Sequence, residues 1–568
     1  MKWQRLLVGA WSAIFGGIIV LGCSGPIIRT QSPEIEPTVE LDVPLVGQVA
    51  RPYGMRYTKV EAVSLVMGLD GTGSDPAPSS QRAMLLTEMQ RREVHQPSKV
   101  LASPDTALVL VKGFLRPGIQ KGDRFDLEVR VDSRSTTKNL RGGWLLTTRL
   151  SELAALGGRL RPGHLLAQGD GPVLVDPAAE GDEDISLLTR GSVLGGGVAL
   201  KSRSLGLVID SSHQSVRTSQ QIGAALNRRF HTYVNGLQQG VANPKTDKYV
   251  ELVVQPRYKD NVARFMRVVQ NVVLAETPTE HQQRLELLER QLGDPVTSAI
   301  AAVRLEAVGK EAVPVLKRAI AATDPEVRFY AAEALAYLDE TDAAETLAIA
   351  ARDEPAFRVY ALAALSAMDD AVARDSLRDL LSSRSAETRY GAFRSLWAMN
   401  SADPLVAGEL LGGEFSYHLL DVQGPPMVHV TRSYRPELVL FGPDQKFSLP
   451  FYLEAGKYIQ VIGRSAGRVT VSRFEPGQPD QQRMISGSVD EVVRAIVELG
   501  GTYPDVVEAL QQAKDRGALT SRLWVDALPK SGRSFDRQEP AEGAIDEEGT
   551  PRFDVANPLP DLFFGQKG

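Results

Sequence analysis

Two glycine-rich loops carry residue types that could do chemistry, and the first is Asp70-Gly71-Thr72-Gly73-Ser74-Asp75. Glycines beside hydroxyl and carboxylate side chains are found where a backbone cradles a phosphate group. A dinucleotide-binding loop needs a third glycine, and a P-loop ends in Gly-Lys-Ser or Gly-Lys-Thr; this segment has neither. We therefore expect Gly71 and Gly73 to form a tight turn that requires positive φ, without nucleotide binding.

The second loop, Lys138-Asn139-Leu140-Arg141-Gly142-Gly143, places two cations beside two adjacent glycines. One interpretation is a solvated turn. The other is an assembly contact, because Gly142 and Gly143 let another backbone approach closely and Lys138 or Arg141 could pair with a carboxylate of a neighbouring subunit. The sequence leaves both interpretations open.

Other catalytic and ligand-binding patterns are missing from the sequence. The seven histidines lack the spacing of a zinc site, and no Gly-x-Ser-x-Gly elbow occurs. The net charge of -6, without a long basic run, argues against a nucleic-acid partner. Residues 488–527 could resemble a DNA-reading helix-turn-helix, but in an acidic chain we expect them to serve packing. No metal, cofactor or catalytic residue is predicted.

The N-terminus has the pattern of a lipoprotein signal peptide. Lys2 and Arg5 precede a mostly apolar run from Leu6 to Leu21, which is typical of secretion. The segment Val20-Leu21-Gly22-Cys23 resembles a bacterial lipobox, in which the cysteine is lipidated; Leu21 is unusual there. We expect lipidation of Cys23, with a plain cleaved signal or an uncleaved anchor as the alternatives. As Cys23 is the only cysteine, the chain has no internal disulfide.

Hydropathy patterns predict the elements that position the two loops. A continuous apolar run and a clear alternation indicate strands, and apolar stripes at helical spacing indicate helices. We expect Asp260 to cap one of these helices. The predicted strands are 107–111, 125–131, 205–209, 249–254, 447–453, 458–462, 468–474 and 523–525, and the predicted helices are 219–230, the stretch after 260, 489–497 and 504–514.

A helical repeat interrupts this pattern. Asp-Pro or a similar start followed by alanine and leucine recurs at about 30 residues, and the copies resemble short HEAT-like repeats. Arg328, Arg358 and Arg389 occupy equivalent positions in three copies. A ladder of internal pairs between repeats is one interpretation of these arginines, and a ligand-binding stripe is the other. Because solenoids present extended surfaces, we expect the array to bind an unknown protein partner.

Several segments together resemble the flagellar basal-body P-ring protein family of bacteria. They run from Val63 to Asp75, through Arg116-Pro117-Gly118 and Lys138 to Thr147, to Leu166-Ala167-Gln168-Gly169. The resemblance covers residues 55–275 and, after the repeats, 425–527. It implies a non-enzymatic subunit of a periplasmic ring around the flagellar rod. It also implies that Gly71, Gly73, Lys138, Arg141, Gly142 and Gly143 are candidate assembly contacts.

The resulting prediction is an α+β multidomain chain, a β-rich P-ring-like body interrupted by an all-α HEAT-like solenoid. Insertion of a whole domain is tolerated where its ends lie close together. The predicted segments are a signal peptide (1–23), a Pro-rich tether (24–54), a β-rich domain (55–189), an α/β module (190–283), helical repeats (284–404), strands with a helix-turn-helix-strand unit (405–527) and a mostly disordered tail (528–568).

Three functions are compatible with these patterns. In the first, lipid-anchored copies form a homo-oligomeric ring at the outer membrane, with flagellar rod and L-ring proteins as partners and motility as the outcome. In the second, the chain is a non-flagellar envelope scaffold whose repeats recruit a protein. In the third, the chain is an enzyme, because short HEAT-like repeats also resemble those of phycobilin lyases; the array lacks an obvious nucleophile.

Overall fold

The computed structural model describes residues 43–156, 159–179, 181–234, 236–464, 467–535, 553–554 and 557–563. Its first elements are α1 (Val46–Val49), β1 (Ala50–Tyr53), β2 (Thr58–Met67), α2 (Ser80–Arg91), α3 (Pro97–Leu101), β3 (Thr106–Leu115), β4 (Arg124–Val131), β5 (Trp144–Leu156), β6 (Arg159–Pro172), α4 (Ile185–Leu188) and β7 (Arg190–Ala199). Strands β2 to β7 close a barrel in the order β2-β3-β4-β7-β6-β5. In β4, buried Leu127, Val129 and Val131 alternate with exposed Glu128 and Arg130, as the period-two pattern predicts.

The barrel is inserted into a small antiparallel sheet. The next elements are β8 (Leu205–Ile209), α5 (Val216–Arg229), β9 (His231–Val234), β10 (Leu237–Gly240), β11 (Ala242–Pro244), β12 (Tyr249–Leu252), a 3-10 turn (Pro256–Tyr258) and α6 (Val262–Gln270). The sheet order is β1-β8-β12-β11, so β1 before the barrel pairs with β8 after it, with Ala50 opposite Ile209. Both ends of the barrel segment are thereby held by neighbouring strands.

Helices fill the stretch from residue 278 to 399: α7 (Pro278–Leu292), α8 (Pro295–Val308), α9 (Val313–Ala319), α10 (Pro325–Tyr337), α11 (Ala343–Asp353), α12 (Arg358–Ala367), α13 (Ala371–Leu380) and α14 (Ala386–Met399). The Asp-Pro pairs start two of them, because Asp294 and Asp324 accept hydrogen bonds from first-turn N–H groups and the proline needs no partner there. Helices α8, α10, α12 and α14 pack in succession, as repeats in a solenoid do. The HEAT-like class itself stays a prediction.

Strands and two helices follow: β13 (Glu409–Leu411), β14 (Phe415–Leu420), β15 (Met427–Val430), β16 (Glu437–Phe441), β17 (Phe451–Ala455), β18 (Ile459–Gly463), β19 (Arg468–Arg473), β20 (Gln481–Ser486), α15 (Val489–Glu498), α16 (Tyr503–Asp515), β21 (Arg522–Val525), β22 (Ser534–Phe535) and β23 (Phe553–Asp554). Sheets form in the orders β13-β14-β16-β15-β21 and β17-β18-β19-β20. The apolar faces of α15 and α16 pack into the core of these strands, which is the packing role expected of them.

Apolar cores join the parts of the chain. Leu207 of the small sheet, Leu335 of α10 and Val439 of β16 belong to one continuous core. Leu174 beside the barrel packs in the same core as Val428 of β15. The two β-rich parts therefore contact each other although the helices separate them in sequence. The predicted α+β class, with a helical stretch between β-rich parts, is confirmed.

Some local predictions need correction. Residues 46–53, predicted as the end of the tether, form α1 and β1; a short strand containing Pro52 gives little periodicity, and its pairing with β8 is not local. Asn261 caps α6 instead of Asp260, its side chain accepting from the N–H of Arg264. In the predicted disordered tail, residues 557–563 pack onto the body, with Phe563 buried.

Candidate functional site

The two predicted loops lie side by side at one end of the barrel. The backbone N–H of Lys138 donates to the carbonyl oxygen of Thr72 at 2.9 Å. The Thr72 hydroxyl donates in return to the carbonyl oxygen of Asn139 at 2.8 Å. The candidate assembly residues of both loops therefore belong to one surface, which we call the glycine-loop surface (residues 70–75 and 138–143).

The four candidate glycines of this surface have two different structural roles. A Cβ on Gly73 would lie 2.1 Å from the carbonyl oxygen of Thr106, and one on Gly143 would lie 2.4 Å from a methyl carbon of Val66. Gly71 and Gly142 adopt positive φ, at 65° and 72°, and a Cβ there would meet nothing within 4 Å. The expectation of positive φ is therefore right for Gly71 and wrong for Gly73. Gly73 and Gly143 are needed for close approach inside the chain, whereas Gly71 and Gly142 are open to solvent or a partner.

Gly73→Ala is expected to lower the free energy of unfolding by about 2 kcal/mol, because the added Cβ meets fixed backbone oxygens. Gly71→Ala in the same loop adds only the strain of positive φ and should cost about 1 kcal/mol. Urea denaturation followed by tryptophan fluorescence measures both values. Equal losses for the two variants would contradict the close-approach role of Gly73.

Arg141 is engaged within its own chain. Its guanidinium donates to the carbonyl oxygens of Asp176 and Ala179 at 3.1 and 3.0 Å. It also lies 3.5 Å from a carboxylate oxygen of Glu508 on α16; burial raises the pKa of this carboxyl despite the nearby arginine. Lys138 is exposed. Lys138 therefore fits the predicted contact with a neighbouring carboxylate better than Arg141 does.

The C-terminal part of the chain also reaches the barrel end, which sequence reasoning did not predict. Lys457 pairs with Asp70 of the first loop at 2.6 Å. Arg432 pairs with Asp176 at 2.6 Å. These pairs are partly exposed, and each adds at most about 1 kcal/mol. Their importance is geometric: the glycine-loop surface is bordered by residues from beyond the helical stretch.

The arginines of the repeats serve mainly as hydrogen-bond donors to carbonyl oxygens at helix ends. Each donates to backbone carbonyl oxygens at or beyond the end of the preceding helix: Arg328 to Ala322 and Thr323, Arg358 to Ala351, and Arg389 to Leu381. Such carbonyls lack intrahelical partners, and a cation near the C-terminal end of a helix also interacts favourably with the helix dipole. A carboxylate contact from one repeat to the next joins Arg358 to Glu387 at 3.3 Å. Carbonyl oxygens are thus the main acceptors of these arginines, and the ladder of pairs between repeats stays a prediction.

A buried ionic cluster, absent from the sequence predictions, joins α6 to the helical stretch. Arg264 contacts Glu306 of α8 at 2.6 Å and Glu333 of α10 at 2.7 Å, and all three are about 1% exposed or less. Tyr258 donates to Glu306 at 2.6 Å, and Asn557 donates to Glu333. Burial raises the pKa of the Glu333 carboxyl, although Arg264 opposes the rise. The cluster is sealed from solvent, so we assign it a structural role.

A second buried cluster joins α14 to the strands that follow. Glu437 of β16 accepts from Tyr390 at 2.7 Å and from Arg394 at 2.9 Å. Burial alone would raise the pKa of Glu437, but the surrounding arginines, Arg394 foremost, lower it to about 2. His429 stacks on Tyr390 at a centroid distance of 3.7 Å, and its Nε2 accepts from the N–H of Ala527. Burial lowers the pKa of His429 to about 3.

His429 should make the fold sensitive to mild acid. The folded chain keeps this imidazole neutral, whereas the unfolded chain takes up a proton near about pH 6.5. The stabilisation is therefore complete above that pH and is lost toward pH 3, at up to about 1.4 kcal/mol per pH unit. When the pH is lowered from about 7 to about 5, the melting temperature should fall more for the unaltered chain than for His429→Gln. Parallel decreases would contradict this assignment.

Neither a metal-binding group of side chains nor a membrane-spanning helix is found among the residues that the structure describes. No group of three or more His, Cys, Asp or Glu side chains in the described ranges could hold a metal ion. Nor does any helix in this part of the chain have the length and apolarity to cross a membrane. Cys23, the predicted lipidation site, lies outside the described residues.

Comparison with known proteins finds a similarity in the barrel-containing part. Residues 46–290 match the family model described as flagellar P-ring protein. This range contains the barrel, the small sheet and α6, and it ends within α7. The P-ring resemblance inferred from the sequence is confirmed over this range. Its extension to residues 425–527 stays a prediction.

Individual relatives agree with this match. The flagellar P-ring protein of Anaeromyxobacter dehalogenans (strain 2CP-C) is 29% identical over 254 residues, 43% of this chain and 63% of the relative. That of Albidiferax ferrireducens is 29% identical over 199 residues, 33% of this chain and 50% of the relative. That of Thermotoga maritima is 24% identical over 233 residues, 39% of this chain and 63% of the relative. The chain thus spans less than two thirds of each relative's length.

Proposed function

We propose that the chain is a non-catalytic structural subunit that assembles with copies of itself into a flagellar P ring around the rod in the periplasm. The observation that carries the proposal is the family match over residues 46–290, because this range contains the barrel and the sheet that holds it. In this role the chain also contacts the rod and the L ring. The HEAT-like helices are an addition to the body shared with the relatives.

Closure of a ring requires that one surface of a subunit meets a different surface of the next. We assign the glycine-loop surface to one side of this contact. Lys138 is exposed there, and Gly71 and Gly142 leave room for an approaching backbone. The surface is bordered by Lys457 from the C-terminal strands, so both β-rich parts of the chain contribute to the contact.

Deletion of the gene tests the flagellar role. We expect the deletion strain to lose swimming in soft agar and to recover it when the full chain is supplied. Negative-stain microscopy of the purified chain should show closed rings. Lys138→Glu should reduce ring formation, with Lys248→Glu, an exposed lysine outside the glycine-loop surface, as the matched control. Normal swimming of the deletion strain would overturn the proposal.

The proposed location is the periplasmic face of the outer membrane, through lipid on Cys23. A lipidated chain should incorporate a labelled fatty acid and sediment with outer-membrane vesicles. Cys23→Ser should lose the label, since the thiol that would carry an acyl group is absent. Unchanged labelling of Cys23→Ser would contradict lipidation at this residue, whatever the outcome of the ring experiments.

A further inference from the structure

A long groove lies between the small sheet region and the row of helix ends in the helical stretch. It consists of two adjoining cavities of about 710 and 390 Å³, which share Gln255, Arg257 and Tyr337. One wall is formed by the C-terminal ends of α8, α10, α12 and α14. The other is formed by the end of α5 and by the 3-10 turn before α6. The shared residues make the two cavities one elongated groove.

The two walls have complementary hydrogen-bonding chemistry. The last carbonyl oxygens of a helix lack intrahelical donors, so four successive helix ends provide a row of acceptors. The chain itself shows that this row attracts donors: Arg229 donates to the carbonyl oxygen of Glu306 at 2.7 Å, and Lys259 donates to that of Ala398 at 3.1 Å. An extended peptide also presents N–H and C=O groups along its whole length. Acceptors on one wall and donors such as Gln255 on the other suit such a backbone.

The larger cavity is cationic in a chain whose net charge is -6. Its lining includes five Arg or Lys side chains and two Glu side chains. Arg284 pairs with Glu276 at 2.6 Å, and Arg257 pairs with a carboxylate outside the lining at 2.7 Å. Arg228 and Lys310 are exposed on opposite walls, and no ion pair of either is found among the described residues. Two cations are thus available to an anionic ligand at this end.

We propose that the groove binds an extended acidic peptide segment of a partner protein. Its carboxylates lie at Arg228 and Lys310, and its backbone follows the helix ends toward the smaller cavity. A single phosphate ion is too small for this volume, because cavities of about 300–1,000 Å³ hold ligands of drug size. The site does not depend on ring formation, and it gives the helical addition a binding role of its own.

Fluorescence anisotropy of the purified full chain tests this site. The probe is a short fluorescein-labelled peptide in which Glu alternates with Ser, and the comparison peptides alternate Gln or Lys with Ser. We expect saturable binding of the Glu peptide only. Arg228→Ser/Lys310→Ser should weaken it by about tenfold or more, since the peptide carboxylates lose both of their cationic partners. Lys310→Gln alone, a smaller change at an exposed position, should weaken it less.

The matched control removes the same charge elsewhere. Arg217→Ser/Lys248→Ser changes two exposed cations outside the groove, one of them on α5 itself, and should leave binding within about twofold of the unaltered chain. Equal weakening by both double variants would overturn the proposal, since net charge alone would then attract the peptide. Equal binding of the Gln peptide would overturn it too. Displacement by inorganic phosphate at matched ionic strength would indicate a small-anion site instead.

Discussion

Arg264→Ala is expected to lower the free energy of unfolding by about 3–5 kcal/mol, because it leaves carboxylates buried without their cation. Glu306 and Glu333 are about 1% exposed or less, and they lie 2.6 and 2.7 Å from the guanidinium. The guanidinium also lies over the ring of Tyr337 at 4.6 Å, so its removal opens a cavity as well. Urea denaturation followed by tryptophan fluorescence measures the loss. Hydrogen exchange should then increase in α6, α8 and α10 together.

Two further variants separate the charge from the general effect of an alanine. Arg267→Ala removes a half-buried arginine from the same helix and should cost less than about 1 kcal/mol. Arg264→Lys keeps a cation but loses the planar, two-sided contact, so an intermediate loss is expected. A similar loss for Arg264→Ala and Arg267→Ala would show that the cluster adds nothing beyond ordinary burial.

The sequence predicted the elements whose pattern is local. Alternation over residues 125–131 identified β4, and a helical stripe after residue 488 identified α15. The Asp-Pro pairs that marked the repeat copies stand at the beginnings of α8 and α10, where Asp294 and Asp324 cap the helices, because capping is decided by a few neighbouring residues. Such signals depend on the period of the chain and need no knowledge of distant partners.

Elements that depend on distant partners were missed. Strand β1 exists because it pairs with β8, and the barrel separates the two in sequence. Residues 557–563 are held by contacts such as that between the Val262 N–H and Asp561 at 2.9 Å. Neither segment has a strong pattern of its own, so composition indicated a tether and a disordered tail. Tertiary contacts decided both.

The candidate contact surface was predicted in its parts but not in its arrangement. The sequence singled out both glycine loops, yet only the fold shows that Lys138 and Thr72 are joined by a backbone hydrogen bond. One of the two interpretations paired Lys138 or Arg141 with a carboxylate of another subunit, whereas Arg141 lies near Glu508 of its own chain. For the repeat arginines the sequence left open a ladder of internal pairs or a ligand-binding stripe, and it did not indicate the carbonyl oxygens at the end of the preceding helix that accept from them. Side-chain partners across long sequence separations cannot be inferred from spacing.

The second large effect is expected from Glu437→Ala, which should lower the free energy of unfolding by about 3–5 kcal/mol. Glu437 is 1% exposed and compensates the charge of Arg394, whose side chain is 4% exposed. It also accepts a hydrogen bond from the Tyr390 hydroxyl at 2.7 Å, so the variant leaves two buried donors without their acceptor. Urea denaturation at neutral pH measures the loss.

Neighbouring variants make this result specific. Glu437→Gln keeps the size of the side chain and one acceptor oxygen. Its loss in the free energy of unfolding should therefore be smaller than that of Glu437→Ala but larger than that of a substitution at an exposed residue. Glu409→Ala breaks the pair with Arg494, in which the glutamate is half exposed, and should cost less than about 1 kcal/mol. Glu437 joins the last helix of the array, α14, to β16. In Glu437→Ala the strands around β16 should therefore unfold at a lower urea concentration than the barrel does. Simultaneous unfolding of both regions in Glu437→Ala would contradict a local joining role.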